Sequence, residues 1–182
     1  MSDITRPEDK AAALLKKLKL GDKLPIDVEQ VAKKLGITVR YEHYDEDLSG
    51  VLVKEVDRVL IGVNSSHAVT RQRFTVAHEC GHYVLQHTGE VFVDKTIRSQ
   101  SQILRRDGKS SLGSDAYEVA ANQFAAELLM PATILEVQVT KRLQAKSKIS
   151  ADELVSELAS LFKVSSQAME YRLTNLGYLM PN

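Results

Sequence analysis

The stretch Arg71–His87 reads RQRFTVAHECGHYVLQH, and within it His78, Glu79, Cys80, Gly81 and His82 spell H-E-x-x-H. No proline interrupts it, so it can run as one helix. On an α-helix residues four apart lie on one face, and both imidazoles can therefore bind a single metal ion. Glu79 sits about 100° round from His78, poorly placed as a ligand but able to reach a water on that metal. The pattern points to a zinc hydrolase with Glu79 as general base. A catalytic zinc takes three protein ligands, so one more has to come from elsewhere.

A metzincin would continue H-E-x-x-H-x-x-G-x-x-H. Here Leu85 stands at the glycine position, and His87 follows His82 by five residues rather than six. That continuation fails. A carboxylate from a second helix would instead complete a two-histidine, one-glutamate, gluzincin-like site. Glu118 in YEVAANQFAAELLMP leads the candidates. Asn122 shares its face, where an amide could hydrogen-bond a ligating histidine. Gly81 would let this alanine-rich helix come close. Glu90, Asp94, Asp115 and Glu127 stay open as alternatives. His43, His67 and His87 read as ordinary polar residues, and Cys80 as a core thiol turned away from the metal.

Upstream, apolar residues recur at helical spacing over 8–19, ending at Gly21 and Asp22. Pro25 and Asp27 open a second helix, closed by Gly36. Three β-like runs follow, at 37–41, 50–53 and 58–63, and suggest a small antiparallel sheet. Asn64, Ser65 and Ser66 offer turn and N-cap chemistry for the motif helix. Downstream, 90–94 suits a short strand. The segment 95–114 lacks periodicity and carries a local charge of +4, as a solvated loop would. Helices are expected over 115–130, 132–145, 151–162 and 166–175. The fold class is α+β, a mainly helical zincin-like core with a small sheet. The peptidase unit is placed at 1–135, and a C-terminal helical, helix-turn-helix-like region at 136–182 packs on it.

Composition narrows the class. The 182 residues suffice for a real core, with 43% hydrophobic and 26% charged residues. With 24 basic and 24 acidic residues the formal net charge is zero, which gives no general argument for nucleic acid or membrane binding. One cysteine excludes an intrachain disulfide. The N-terminus has no signal-like apolar run, and no window is apolar enough to span a membrane. A soluble, cytoplasmic protein is expected.

The motif helix followed by EVAANQFAAELLMP resembles the ImmA/IrrE family of intracellular zinc metallopeptidases. LPIDVEQVAKKLGITVRY, SGVLV, IGVN and the terminal LFKVSSQAMEYRLTNLGYL resemble that family too. The resemblance implies Zn²⁺ held by His78, His82 and Glu118, with Glu79 catalytic. It also implies a protein substrate, a helix-turn-helix transcriptional repressor cleaved to derepress phage, mobile-element or stress genes. Some members carry an additional DNA-binding or sensor domain, which is not expected here.

Residues 155–175 have a helix-turn-helix cadence of their own. A DNA reader would present basic and amide side chains on its second helix. This one offers Gln167, Glu170 and Arg172, with Lys163 in the turn, so DNA binding is not expected. The contrasting reading is a non-proteolytic zinc-containing regulator that binds a repressor, an antitoxin or DNA. Intact Glu79 speaks against it.

Overall fold

A computed structural model of the chain describes residues 6–21, 23–87, 91–95, 111–146 and 148–180. Among them are seven helices: α1 (Pro7–Leu18), α2 (Val28–Lys34), α3 (Val69–Val84), α4 (Ser111–Leu129), α5 (Ala132–Ala145), α6 (Ala151–Phe162) and α7 (Ser166–Asn175). Four strands form one sheet: β1 (Ile37–Glu42), β2 (Leu48–Lys54), β3 (Val59–Asn64) and β4 (Val91–Lys95). The class is α+β, as expected.

Helix starts and stops follow local chemistry. Pro7 opens α1, where its missing N–H costs nothing. Asp27, Ser150 and Ser165 cap α2, α6 and α7 by accepting from the N–H groups of Gln30, Glu153 and Ala168. Two expectations need correction. Helix α1 ends at Lys19, left-handed at φ 56°, ahead of Gly21. Helix α3 has Ala68 at its N-cap, with no side-chain cap. Asn64 acts on the preceding turn instead. Its amide donates to the carbonyls of Tyr44, Asp45 and Leu48 (3.2, 3.1 and 2.8 Å) and accepts from the Ser66 N–H (3.0 Å).

The sheet is mixed rather than antiparallel. Its order is β1-β3-β2-β4, with β1 parallel to β3 and the other pairs antiparallel. β3, VLIGVN, is apolar and ends in four buried residues, whereas β1 buries only Ile37 outright. Burying β3 between two neighbours and leaving Arg40 and Glu42 on the edge covers more apolar surface than a simple meander would. The basic stretch 96–110 lies outside the described residues. Helix α4 begins at Ser111, four residues ahead of the expected start.

Helix α3 lies between the sheet and α4. A single cluster of buried apolar side chains runs from Ala11 through Leu52, Ile61, Val76, Phe124 and Leu158 to Leu173. At the α3–α4 crossing a Cβ on Gly81 would lie 3.2 Å from the Ala121 carbonyl oxygen and 3.3 Å from its Cα. Replacing a mid-helix glycine by alanine gains about 1 kcal/mol of helix propensity, but forcing a methyl against rigid backbone costs about 1–3 kcal/mol. Gly81→Ala is therefore expected to lower the melting temperature by roughly 2–4 °C, read in a thermal melt.

The C-terminal pair α6–α7 is tied down by two arginines. From α3, Arg73 donates to the Lys163 carbonyl in the α6–α7 turn (3.2 Å) and to that of Ile26 (2.9 Å). From α7, Arg172 donates to the Met130 carbonyl (3.1 and 3.2 Å) and pairs with Glu127. Arg172 is buried. It is thus withdrawn from the DNA-facing set in which the sequence placed it.

Candidate metal centre

Helix α3 supplies His78 and His82 one turn apart, and both are buried. Helix α4 brings Glu118 across the close contact at Gly81. The Glu118 carboxylate oxygens lie 3.1 Å from His78 Nε2 and 3.3 Å from His82 Nε2, and the two Nε2 atoms are 3.0 Å apart. His78, His82 and Glu118 each direct one ligand atom into a common space, all within 4.8 Å of one another. A tetrahedral ion with bonds of about 2.0–2.1 Å would hold its ligands roughly 3.3 Å apart. The three side chains fit such an ion.

Proton bookkeeping supports the fit. Asn122, one turn beyond Glu118, sets its Oδ1 2.9 Å from His78 Nδ1. An amide oxygen only accepts, so His78 carries its proton on Nδ1 and offers a bare Nε2. A bare nitrogen facing a carboxylate and a second imidazole nitrogen at about 3 Å makes a donor set that a shared cation would satisfy. The carboxylate itself is suited to that. Burial works to raise its pKa, but the facing His78 and His82 imidazoles outweigh burial and hold it at about 2. Glu118 stays ionised at any working pH.

Glu79 is wholly buried beside His78 on α3. Cys80 is buried in the apolar core, and desolvation raises its thiol to about 12, so it is neither thiolate ligand nor nucleophile. The competing carboxylates go elsewhere. Glu127 pairs with Arg172 and accepts from the Ala132 N–H (3.1 Å), closing the start of α5. Asp115 is exposed. Glu90 and the Asp94 side chain lie outside what is described.

His87 is where reading the sequence fell short. It is buried rather than an ordinary polar residue. Its Nδ1 lies 2.9 Å from His82 Nδ1, its ring stacks on Tyr117 of α4 (centroids 4.3 Å, planes 18° apart), and its carbonyl accepts from Lys54 Nζ (3.0 Å). Burial pushes its imidazole down to about 4. Continued as helix, a residue five places on would lie about 140° from His82. The chain turns back instead. Gln86 is left-handed (φ 57°), the Gln86 N–H bonds the Tyr83 carbonyl, and the His87 N–H bonds that of His82. This is a Schellman closure, and it folds His87 onto His82. The signal was the polar Gln86-His87 pair at the helix end, without a glycine to announce the turn.

A family model described as the IrrE N-terminal-like domain, a peptidase family, matches residues 32–174. Metallopeptidase ImmA of Bacillus subtilis (strain 168) is 28% identical over 124 residues, covering 68% of this chain and 60% of that protein. The chain thus spans less than two thirds of that relative's length. Among the described residues no helix is long and apolar enough to cross a membrane.

Proposed function

The chain belongs to the IrrE N-terminal-like, or ImmA/IrrE, family, and from that premise we propose that it is a zinc-dependent endopeptidase. His78, His82 and Glu118 hold the ion in a gluzincin-like set, and Glu79 is the general base. The observation that carries this reading is the convergence of two Nε2 atoms and the Glu118 carboxylate, with contacts of 3.0–3.3 Å, on the two helices that cross at Gly81. Zinc bound there supplies Lewis acidity, acidifying water and polarising a peptide carbonyl.

The chain's own residues do the rest. Asn122 fixes the His78 tautomer, so that Nε2 faces the ion. Glu79, out of bulk water, takes the proton from the attacking water and returns it to the leaving amine as the peptide bond breaks. The substrate class is a helix-turn-helix transcriptional repressor, and its cleavage derepresses phage, mobile-element or stress genes in the cytoplasm. The α6–α7 pair is part of the peptidase and does not read DNA, since Arg172 is committed to Glu127 and Met130.

Two measurements test this. Metal analysis of the purified protein should return one zinc per chain, and incubation with a repressor encoded beside it should yield two fragments, prevented by a chelator. Zinc without cleavage would favour a regulator that only sequesters its partner. Glu118→Ala should leave the fold in place and weaken zinc binding by at least 10-fold, since two histidines are an incomplete set. Unchanged affinity by competition titration would move the third ligand elsewhere.

A further inference from the structure

We propose that His87 is the positioning residue of the metal centre: it accepts the Nδ1 proton of His82, is clamped by Tyr117, and so aims His82 Nε2 at the ion. The inference rests on the zinc reading above, and adds a residue that the H-E-x-x-H pattern does not contain.

The argument is one of protons. A histidine that ligates through Nε2 must carry its hydrogen on Nδ1, and a buried N–H needs an acceptor. For His78 that acceptor is Asn122 Oδ1. For His82 the atom in place, at 2.9 Å, is His87 Nδ1. Two imidazole Nδ1 atoms at that distance share one hydrogen. If it belongs to His82, then His87 accepts at Nδ1 and carries its own hydrogen on Nε2.

Three features hold His87 in that pose. The left-handed Gln86 turns it back over the helix end, the Tyr117 ring stacks on it, and Lys54 anchors its carbonyl. Tyr117 precedes Glu118. One helix, α4, therefore provides a ligand, the acceptor for His78, and the wall behind the acceptor for His82. Partners of this kind typically contribute 10–100-fold to metal affinity.

The test uses the full chain and zinc itself, titrated against a chromophoric chelator. His87→Phe keeps a ring for Tyr117 to stack on but removes the acceptor. It should raise the zinc Kd about 10–100-fold with an unchanged circular dichroism spectrum. His87→Gln, whose amide oxygen can accept, should recover part of that loss. A purely structural role would give no such recovery. Wild-type affinity in His87→Phe would overturn the inference, as would His87→Gln binding no better than His87→Phe.

A second measurement needs no variant. Nitrogen-15 NMR of the zinc-loaded protein should find His82 protonated at Nδ1 and His87 at Nε2, and a His87 protonated at Nδ1 would overturn the assignment. A wild-type chain with no tight zinc site would overturn the zinc reading together with this one. A tight site indifferent to His87 would overturn this one alone.

Discussion

On the proposed reading, Glu79→Gln is expected to keep zinc and lose cleavage of the proposed repressor substrate by about 10²–10⁴-fold, the usual contribution of a positioned general base. The substitution preserves shape, so a packing effect is small. An amide cannot take a proton from water near neutral pH, and that function alone is removed. Glu79 is wholly buried and sits one residue from His78. Bulk water therefore cannot readily supply a substitute base. Metal content measured alongside the single-turnover rate separates the outcomes. A slow, zinc-replete variant assigns the proton transfer to Glu79. Cleavage at the wild-type rate would remove it from the mechanism, and loss of zinc would show that it supports the ligands instead.

The largest effect on stability is expected at the other end of α4. Arg172→Met removes one member of a buried ion pair and leaves Glu127 uncompensated, a change that costs about 3–5 kcal/mol. Burial already raises the Glu127 carboxyl above its ordinary range, against the pull of Arg172 and the Ala132 N–H. Without Arg172 it must rise further. A carboxyl with a raised folded-state pKa contributes stability that is full below its unfolded value and is lost as pH climbs through the folded one. The deficit of Arg172→Met should thus be larger at pH 8 than at pH 5, as read by urea denaturation at both. Glu127→Leu combined with Arg172→Met should recover much of the loss, because no charge is then left buried. A pH-independent deficit would mean that the two hydrogen bonds to the Met130 carbonyl, rather than the ion pair, are what matters.

Legibility from sequence divides along physical lines. The helices at 132–145, 151–162 and 166–175 were readable because Pro131, Ser150 and Ser165 stand at their entrances and the apolar period is regular between them. The two histidines and Glu118 were legible because a helix converts spacing into a shared face, and a small-residue crossing admits a second helix at one place. Sheet order was not, since β1, β2 and β3 are all short and which strand lies innermost depends on total burial. Nor was His87. Its role depends on a left-handed residue at Gln86, and glutamine gives no local sign of that conformation. Arg172 misled for a related reason. Charge on a helix reads as surface until its partner, 45 positions away, is brought beneath it.

Close packing at Gly81 has a consequence for access. With α4 pressed onto α3 there, His78 and His82 expose 3% and 1% of their side chains, whereas Glu118 exposes 45%. The two imidazoles form a floor that solvent does not reach from behind. Among the described residues, Glu118 is thus the member of the three that a peptide carbonyl or a chelator can meet first. The flanks of that approach are Tyr117 and Val119, both exposed on α4. Of the three side chains, the carboxylate is the one turned to solvent.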